Sequence, residues 1–183
     1  QTLTDTRDWT ERGVKALSLW FRGFPSFLGS FVEAPTGTYT MTAEGADIWG
    51  SSDQFHFAWQ ELNGEGEIIV KVESVENTNP WAKAGIMIRD TLDPDSAFAM
   101  VAVTPGNGVW FGRQPGGNTA SDAQADITAP QWIKLDRSIG GLARASYSSD
   151  GINWTALGTP QAVIMNTPLY IGLALTSHEP EGA

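Results

Sequence analysis

Apolar and polar residues alternate with a period of two along most of this chain, in short runs. Thr38–Thr42, Gln54–Gln60, Glu67–Ser74, Ala82–Arg89, Ser96–Val103, Val109–Gln114, Trp132–Ser138, Ala143–Ser148, Gln161–Val163 and Leu169–Thr176 each predict a β-strand. Turn-forming residues separate them: Asn63-Gly64, Asn79-Pro80, Asp93-Pro94-Asp95, Pro105-Gly106-Asn107-Gly108, Gly116-Gly117-Asn118 and Asp150-Gly151. A helical period is nearly absent. Asp8–Val14 would form one helical turn broken at Gly13, Val14–Trp20 alternates as a strand, and Gly23–Pro35 reads as a linker. Short, evenly spaced strands without intervening helices predict an all-β fold, an antiparallel β-sandwich or jelly roll.

Alternation also assigns side chains to faces. In Ala82–Arg89, the residues Ala82, Ala84, Ile86 and Ile88 are expected toward the inter-sheet core, leaving Lys83, Gly85, Met87 and Arg89 opposite. In Gln54–Gln60, Phe55, Phe57 and Trp59 are expected inside, with Gln54, His56, Ala58 and Gln60 outside. Trp110 and Gly112 share one face, and Val109, Phe111 and Arg113 the other. If these strands are neighbours, one open face carries Gln54, His56, Lys83, Met87, Arg89 and Trp110. The segment Tyr147–Trp154 predicts a hairpin, in which Asp150-Gly151 makes the tight turn and Tyr147 meets Trp154 across the strands.

Composition narrows the class. The 183 residues fit a single domain, and 41% hydrophobic content supports a packed core despite 20 Gly and 10 Pro. A formal net charge of -10 argues against nucleic-acid and anionic-membrane partners. The absence of Cys removes disulfides, zinc–thiolate sites and Cys nucleophiles. No apolar run is long enough for a transmembrane helix, so no membrane insertion is expected. Because the chain opens at Gln1, it reads as a processed or excised piece.

Four segments, taken in order, carry a resemblance: Gly45-Ala46-Asp47-Ile48-Trp49, Asp53-Gln54-Phe55-His56-Phe57, Trp81-Ala82-Lys83-Ala84-Gly85-Ile86-Met87-Ile88-Arg89, and Tyr170-Ile171-Gly172-Leu173-Ala174 leading to Thr176-Ser177-His178. With the Ser-Asp-Gly-Ile-Asn-Trp hairpin between them, they resemble the bacterial concanavalin A-like jelly-roll domains of the DUF1349 type. Such domains recur as accessory modules of large secreted and cell-surface proteins, often beside glycan-active or adhesion domains. The resemblance spans Gly37 to His178 and implies a concanavalin A-like jelly roll over residues 25–183. Domains of this type usually end with one more strand, whereas this chain stops at Ala183. Residues 1–24 do not match and are expected to be a strand or linker segment from a neighbouring β-domain. Val14–Trp20 would then cover the sheet edge near Tyr170.

The leading functional expectation is a non-catalytic, extracellular or cell-surface module. It would bind carbohydrate through Gln54, His56, Lys83, Met87, Arg89 and Trp110. Trp covers the C–H face of a pyranose while the polar side chains reach hydroxyls or carboxylates, and two cations would favour an anionic glycan. The plainer reading pairs Lys83 and Arg89 with Glu65, Glu67 or Asp90 on a solvated face, where such pairs stabilise little. Structural calcium is a further expectation, with Asp93 and Asp95 as first ligands and Asp122–Asp126, Glu44 and Asp47 as other oxygen donors. His56 and His178 are too few for zinc or copper. The first alternative is a structural or adhesive spacer contacting neighbouring domains of its parent protein. The second is a glycoside hydrolase or polysaccharide lyase. For the hydrolase, Glu65 and Glu67 have alternate spacing but lie at a glycine-flanked turn.

Overall fold

The computed structural model describes residues 2–4, 29–114 and 119–179. Among them the chain forms fourteen strands and no helix. In order these are β1 (Thr2–Thr4), β2 (Ser30–Glu33), β3 (Thr38–Thr42), β4 (His56–Leu62), β5 (Gly66–Ser74), β6 (Lys83–Arg89) and β7 (Phe98–Thr104). There follow β8 (Gly108–Gln114), β9 (Ala120–Ala125), β10 (Gln131–Arg137), β11 (Leu142–Ser148), β12 (Thr155–Ala156), β13 (Gln161–Ala162) and β14 (Leu169–Thr176). The first sheet has the order β12-β11-β10-β5-β1-β3-β2, with β13 also on β11; the second runs β4-β14-β6-β7-β8-β9. Neighbours within both sheets are antiparallel, and the fold is the expected all-β sandwich.

The two sheets share one core. Ile68, Val70 and Val72 of β5 and Ile133 and Leu135 of β10 meet Ala84, Ile86 and Ile88 of β6, Val101 and Val103 of β7, and Ile171, Leu173 and Leu175 of β14. Each such fully buried aliphatic side chain stabilises the sandwich by about 1.5–3 kcal/mol. The face expected for Ala84, Ile86 and Ile88 is the one observed.

Four expectations change. On β4 the faces are reversed: Ala58 belongs to the inter-sheet core, whereas Phe57 and Trp59 turn outward into a second apolar cluster. Tyr147 pairs with Thr155 rather than Trp154, because the connection is longer than a tight turn. Tyr147 packs toward the inter-sheet core, while the Trp154 ring lies under the Lys134 ammonium at 4.6 Å. The strand near Tyr170 has both edges occupied, by β4 and β6, so no free edge exists there to be covered. The supposed linker contains β2, which pairs with β3. The expected segment over residues 1–24 contributes Thr2–Thr4 to the first sheet, between β3 and β5. The expectations for Asp8–Val14 and Val14–Trp20 lie outside the described residues.

Candidate functional site

The outer face of the second sheet, expected to be open, is roofed. Strands β6 and β7 are buried along their whole length, which requires cover on both sides. The roof is the segment from Gly45 to Phe55. Its base is closed by a bridge between Asp47 and Gln54 and by the Thr176 hydroxyl, which donates 2.8 Å to the Gly45 carbonyl. Gly45 has φ +134, and a Cβ there would lie 2.3 Å from the Gln54 carbonyl oxygen, so glycine is required at this crossing. Ile48 drops from the roof into the second cluster, among Phe57, Trp59, Met87, Phe98, Met100 and Trp110, and is fully buried.

Two ion pairs tie the roof to the floor. Lys83, 2% exposed, donates from Nζ to Asp47 Oδ1 and to the Trp81 carbonyl at 3.3 Å. Its ammonium also lies 5.7 Å from the Trp81 ring and 5.6 Å from the Trp110 ring, a cation–π position on both sides. Burial holds the Lys83 pKa below its ordinary value, and Asp47 acts in the opposite sense. His178, at φ 59, places Nδ1 3.1 Å from the same Asp47 oxygen.

At the other end of the roof, Arg89, 1% exposed, stands 3.6 Å from Asp53. Its Nε donates 2.7 Å to the Thr91 carbonyl and its Nη2 2.6 Å to the Asp93 carbonyl. The guanidinium lies over the Phe55 ring at 5.0 Å. No hydrogen bond reaches either carboxylate oxygen of Asp53 among the described residues. Burial therefore outweighs the attraction of Arg89 and pushes the Asp53 carboxyl up to about 7.

Between these anchors the roof carries Trp49, whose side chain remains 47% exposed. Its position is set from both neighbours. Ile48 is locked beneath the roof, and the Gly50 carbonyl accepts from the Thr119 amide at 2.9 Å and the Thr119 hydroxyl at 3.2 Å. The Trp49 ring lies 6.3 Å from the Trp110 ring at 53°. Trp110 is in turn fixed: its Nε1 donates 2.9 Å to Ser121 Oγ on β9, and its indole lies across Gly112, where a Cβ would come within 1.9 Å of the ring. Ser121 and Gln124 are exposed on the adjoining edge strand, Gln124 directly opposite Trp110. The result is a pre-set indole at a solvent boundary, with hydroxyl and amide groups on the strand beside its support.

Of the residues expected together, Lys83, Met87, Arg89 and Trp110 do share one face, but all four are buried beneath the roof. His56 is a correction: it pairs with Leu175 on β14 and points to the inter-sheet side, because β4 carries its aromatics outward. Burial lowers the His56 pKa. Gln54 is exposed in the roof, where its amide donates to the Asp47 carbonyl and its carbonyl accepts from Thr176. The partners of Lys83 and Arg89 are Asp47 and Asp53; Glu67 instead faces Lys134 at 3.9 Å, and Asp90 accepts from the Asn166 amide at 2.7 Å.

The calcium expectation meets a loop turned toward the protein. Asp93 and Asp95 are exposed, but their carbonyls accept from Arg89 and Gln114, and the Pro94 carbonyl accepts from the Asp53 amide. Asp122 pairs with Arg113 at 3.0 Å. Among the described residues no group of three or more His, Asp or Glu is arranged to hold a metal ion.

Asp47, Trp49 and Asp53 were missing from the expected binding set. A signal was present: an isolated Trp between two Asp, bracketed by Gly45 and Gly50, is the pattern of a loop anchored at both ends with an aromatic at its tip.

Comparison with known proteins gives fold and no activity. No protein-family model and no curated protein sequence matches the chain. The fold is similar to that in the crystal structure of a functionally unknown protein from Saccharomyces cerevisiae, at 18% identity and a TM-score of 0.68 over 88% of each chain.

Proposed function

We propose that this chain is a non-catalytic carbohydrate-binding module whose contact surface centres on Trp49. The observation that carries the reading is the half-exposed Trp49 indole, braced on buried Trp110 and held by backbone anchors on either side. A rigid aromatic at a boundary loses little entropy on binding and offers an apolar plate to the C–H face of a pyranose. Beside its Trp110 support, the Ser121 hydroxyl and the Gln124 side-chain oxygen can meet sugar hydroxyls, while Gln124 Nε2 donates to the Asn107 carbonyl. Of the originally expected residues, Lys83, Met87, Arg89 and Trp110 become support for this plate rather than its contact surface. Glu65 and Glu67 stand exposed at the start of β5, in keeping with solvated rather than catalytic carboxylates. As a concanavalin A-like, DUF1349-type jelly roll, the module would work at an extracellular or cell-surface location. An array of immobilised glycans tests this. The wild-type chain should give a selective set of signals that Trp49→Ala abolishes while its thermal midpoint stays unchanged. Signals that survive Trp49→Ala would overturn the assignment.

A second reading has its own support. Lys83 and Arg89 are buried and paired on a covered face, as expected of a structural or adhesive spacer that meets neighbouring domains of its parent protein. Uniform silence of the array would favour it.

A further inference from the structure

We infer that the surface around Trp49 selects uncharged sugar chains and rejects anionic ones, an inference that rests on the carbohydrate-binding reading above. A site for carboxylated or sulfated sugar needs a cation free to face the ligand, in the planar fork of Arg or the point charge of Lys. Among the described residues, the two cations beneath the roof that carries Trp49 are not free. Lys83 is enclosed by Asp47, the Trp81 carbonyl and two indole faces, and Arg89 is engaged by two backbone carbonyls with Asp53 beside it. Both are at most 2% exposed, so a ligand would have to dismantle the roof to touch either.

The cations elsewhere among the described residues are engaged too. Lys71 pairs with Glu73, Arg113 with Asp122, Lys134 with Glu67 and Arg144 with Asp136, while Arg137 donates to the Gly64 and Met165 carbonyls. Carboxylates are the unspent charge. Asp93 and Asp95 are exposed beside the Arg89 end of the roof, and the whole chain carries -10. Among the described residues an approaching anion therefore meets repulsion without a compensating contact, and like-charge contact of this kind is a means of excluding wrong partners. What remains at the plate is chemistry for a neutral ligand: an apolar indole face, the Ser121 hydroxyl and the Gln124 side-chain oxygen, with Gln124 Nε2 donating to the Asn107 carbonyl.

The test uses the full chain on an array bearing neutral hexose and N-acetylhexosamine oligosaccharides beside uronic-acid and sulfated ones. It is run at about 50 and about 500 mM NaCl, since exposed charge contacts weaken with salt over this range. Binding confined to the neutral arm, changing less than about twofold with salt, is the expected result. Binding confined to the acidic arm and lost at high salt overturns the neutral-ligand inference while the carbohydrate reading stands. Silence in both arms at both salts overturns the two together.

Discussion

Asp53 and Arg89 face each other at 3.6 Å with both side chains withdrawn from solvent, yet no hydrogen bond joins them. Arg89 spends donors on the Thr91 and Asp93 carbonyls rather than on Asp53, so the two groups meet through charge alone. Asp53, by contrast, is left with desolvation and little compensation. The Asp53 end of the roof is therefore sensitive to pH.

The sign follows from linkage. The folded Asp53 carboxyl holds its proton up to about 7 against an ordinary value of 3.8, so the folded state binds the proton more tightly. Its stabilising contribution is complete below the ordinary value and is lost as the pH rises through about 7. Asp53→Asn should remove this component. Urea unfolding of both proteins between pH 5 and 8 should show the wild type losing stability relative to Asp53→Asn as the pH rises. A difference between them that does not change with pH would contradict the assignment.

At the other anchor, Asp47→Ala strands the Lys83 ammonium in an almost dry position. Removing one partner of a buried pair costs about 3–5 kcal/mol when the remaining charge stays dry, as Lys83 would at 2% exposure, whereas Asp47, at 23%, can hydrate once the cation is replaced by an apolar side chain of similar volume. Lys83→Met should therefore be the milder change. Denaturant midpoints for the two variants check the order, and the reverse order would show that Asp47 is not Lys83's main support.

Gly112 is predicted to be a positioning residue. A Cβ there meets the Trp110 ring at 1.9 Å, so Gly112→Ala must displace the indole that supports Trp49. Overpacking of this kind costs about 1–3 kcal/mol. Glycan affinity should fall even at temperatures where the variant is fully folded, which separates displacement of the plate from unfolding.

How far these features could be read from sequence differs by element. Strand β6 announced its core face correctly, because Ala84, Ile86 and Ile88 alternate with larger or polar residues and pack on the other sheet. The same alternation misled on β4. Phe57 and Trp59 are the bulkiest apolar residues there, and bulk suggested the inter-sheet core; that layer is filled instead by the aliphatic residues of β14 beside small Ala58. Strand β9, Ala-Ser-Asp-Ala-Gln-Ala, went unseen because it is a polar edge strand with low β-propensity. Lys83 and Arg89 looked solvated because a period-two pattern cannot report a loop folded over the polar side. Only Asp47 and Asp53, six residues apart around Trp49, hinted at partners for them.

Isothermal titration of the wild type and Trp49→Ala, using an array-selected neutral oligosaccharide, tests the central claim most directly. Loss of an aromatic anchor should weaken binding at least tenfold, about 1.4 kcal/mol or more, with the thermal midpoint unchanged. Equal affinity in the two proteins would contradict the placement of the binding surface at Trp49.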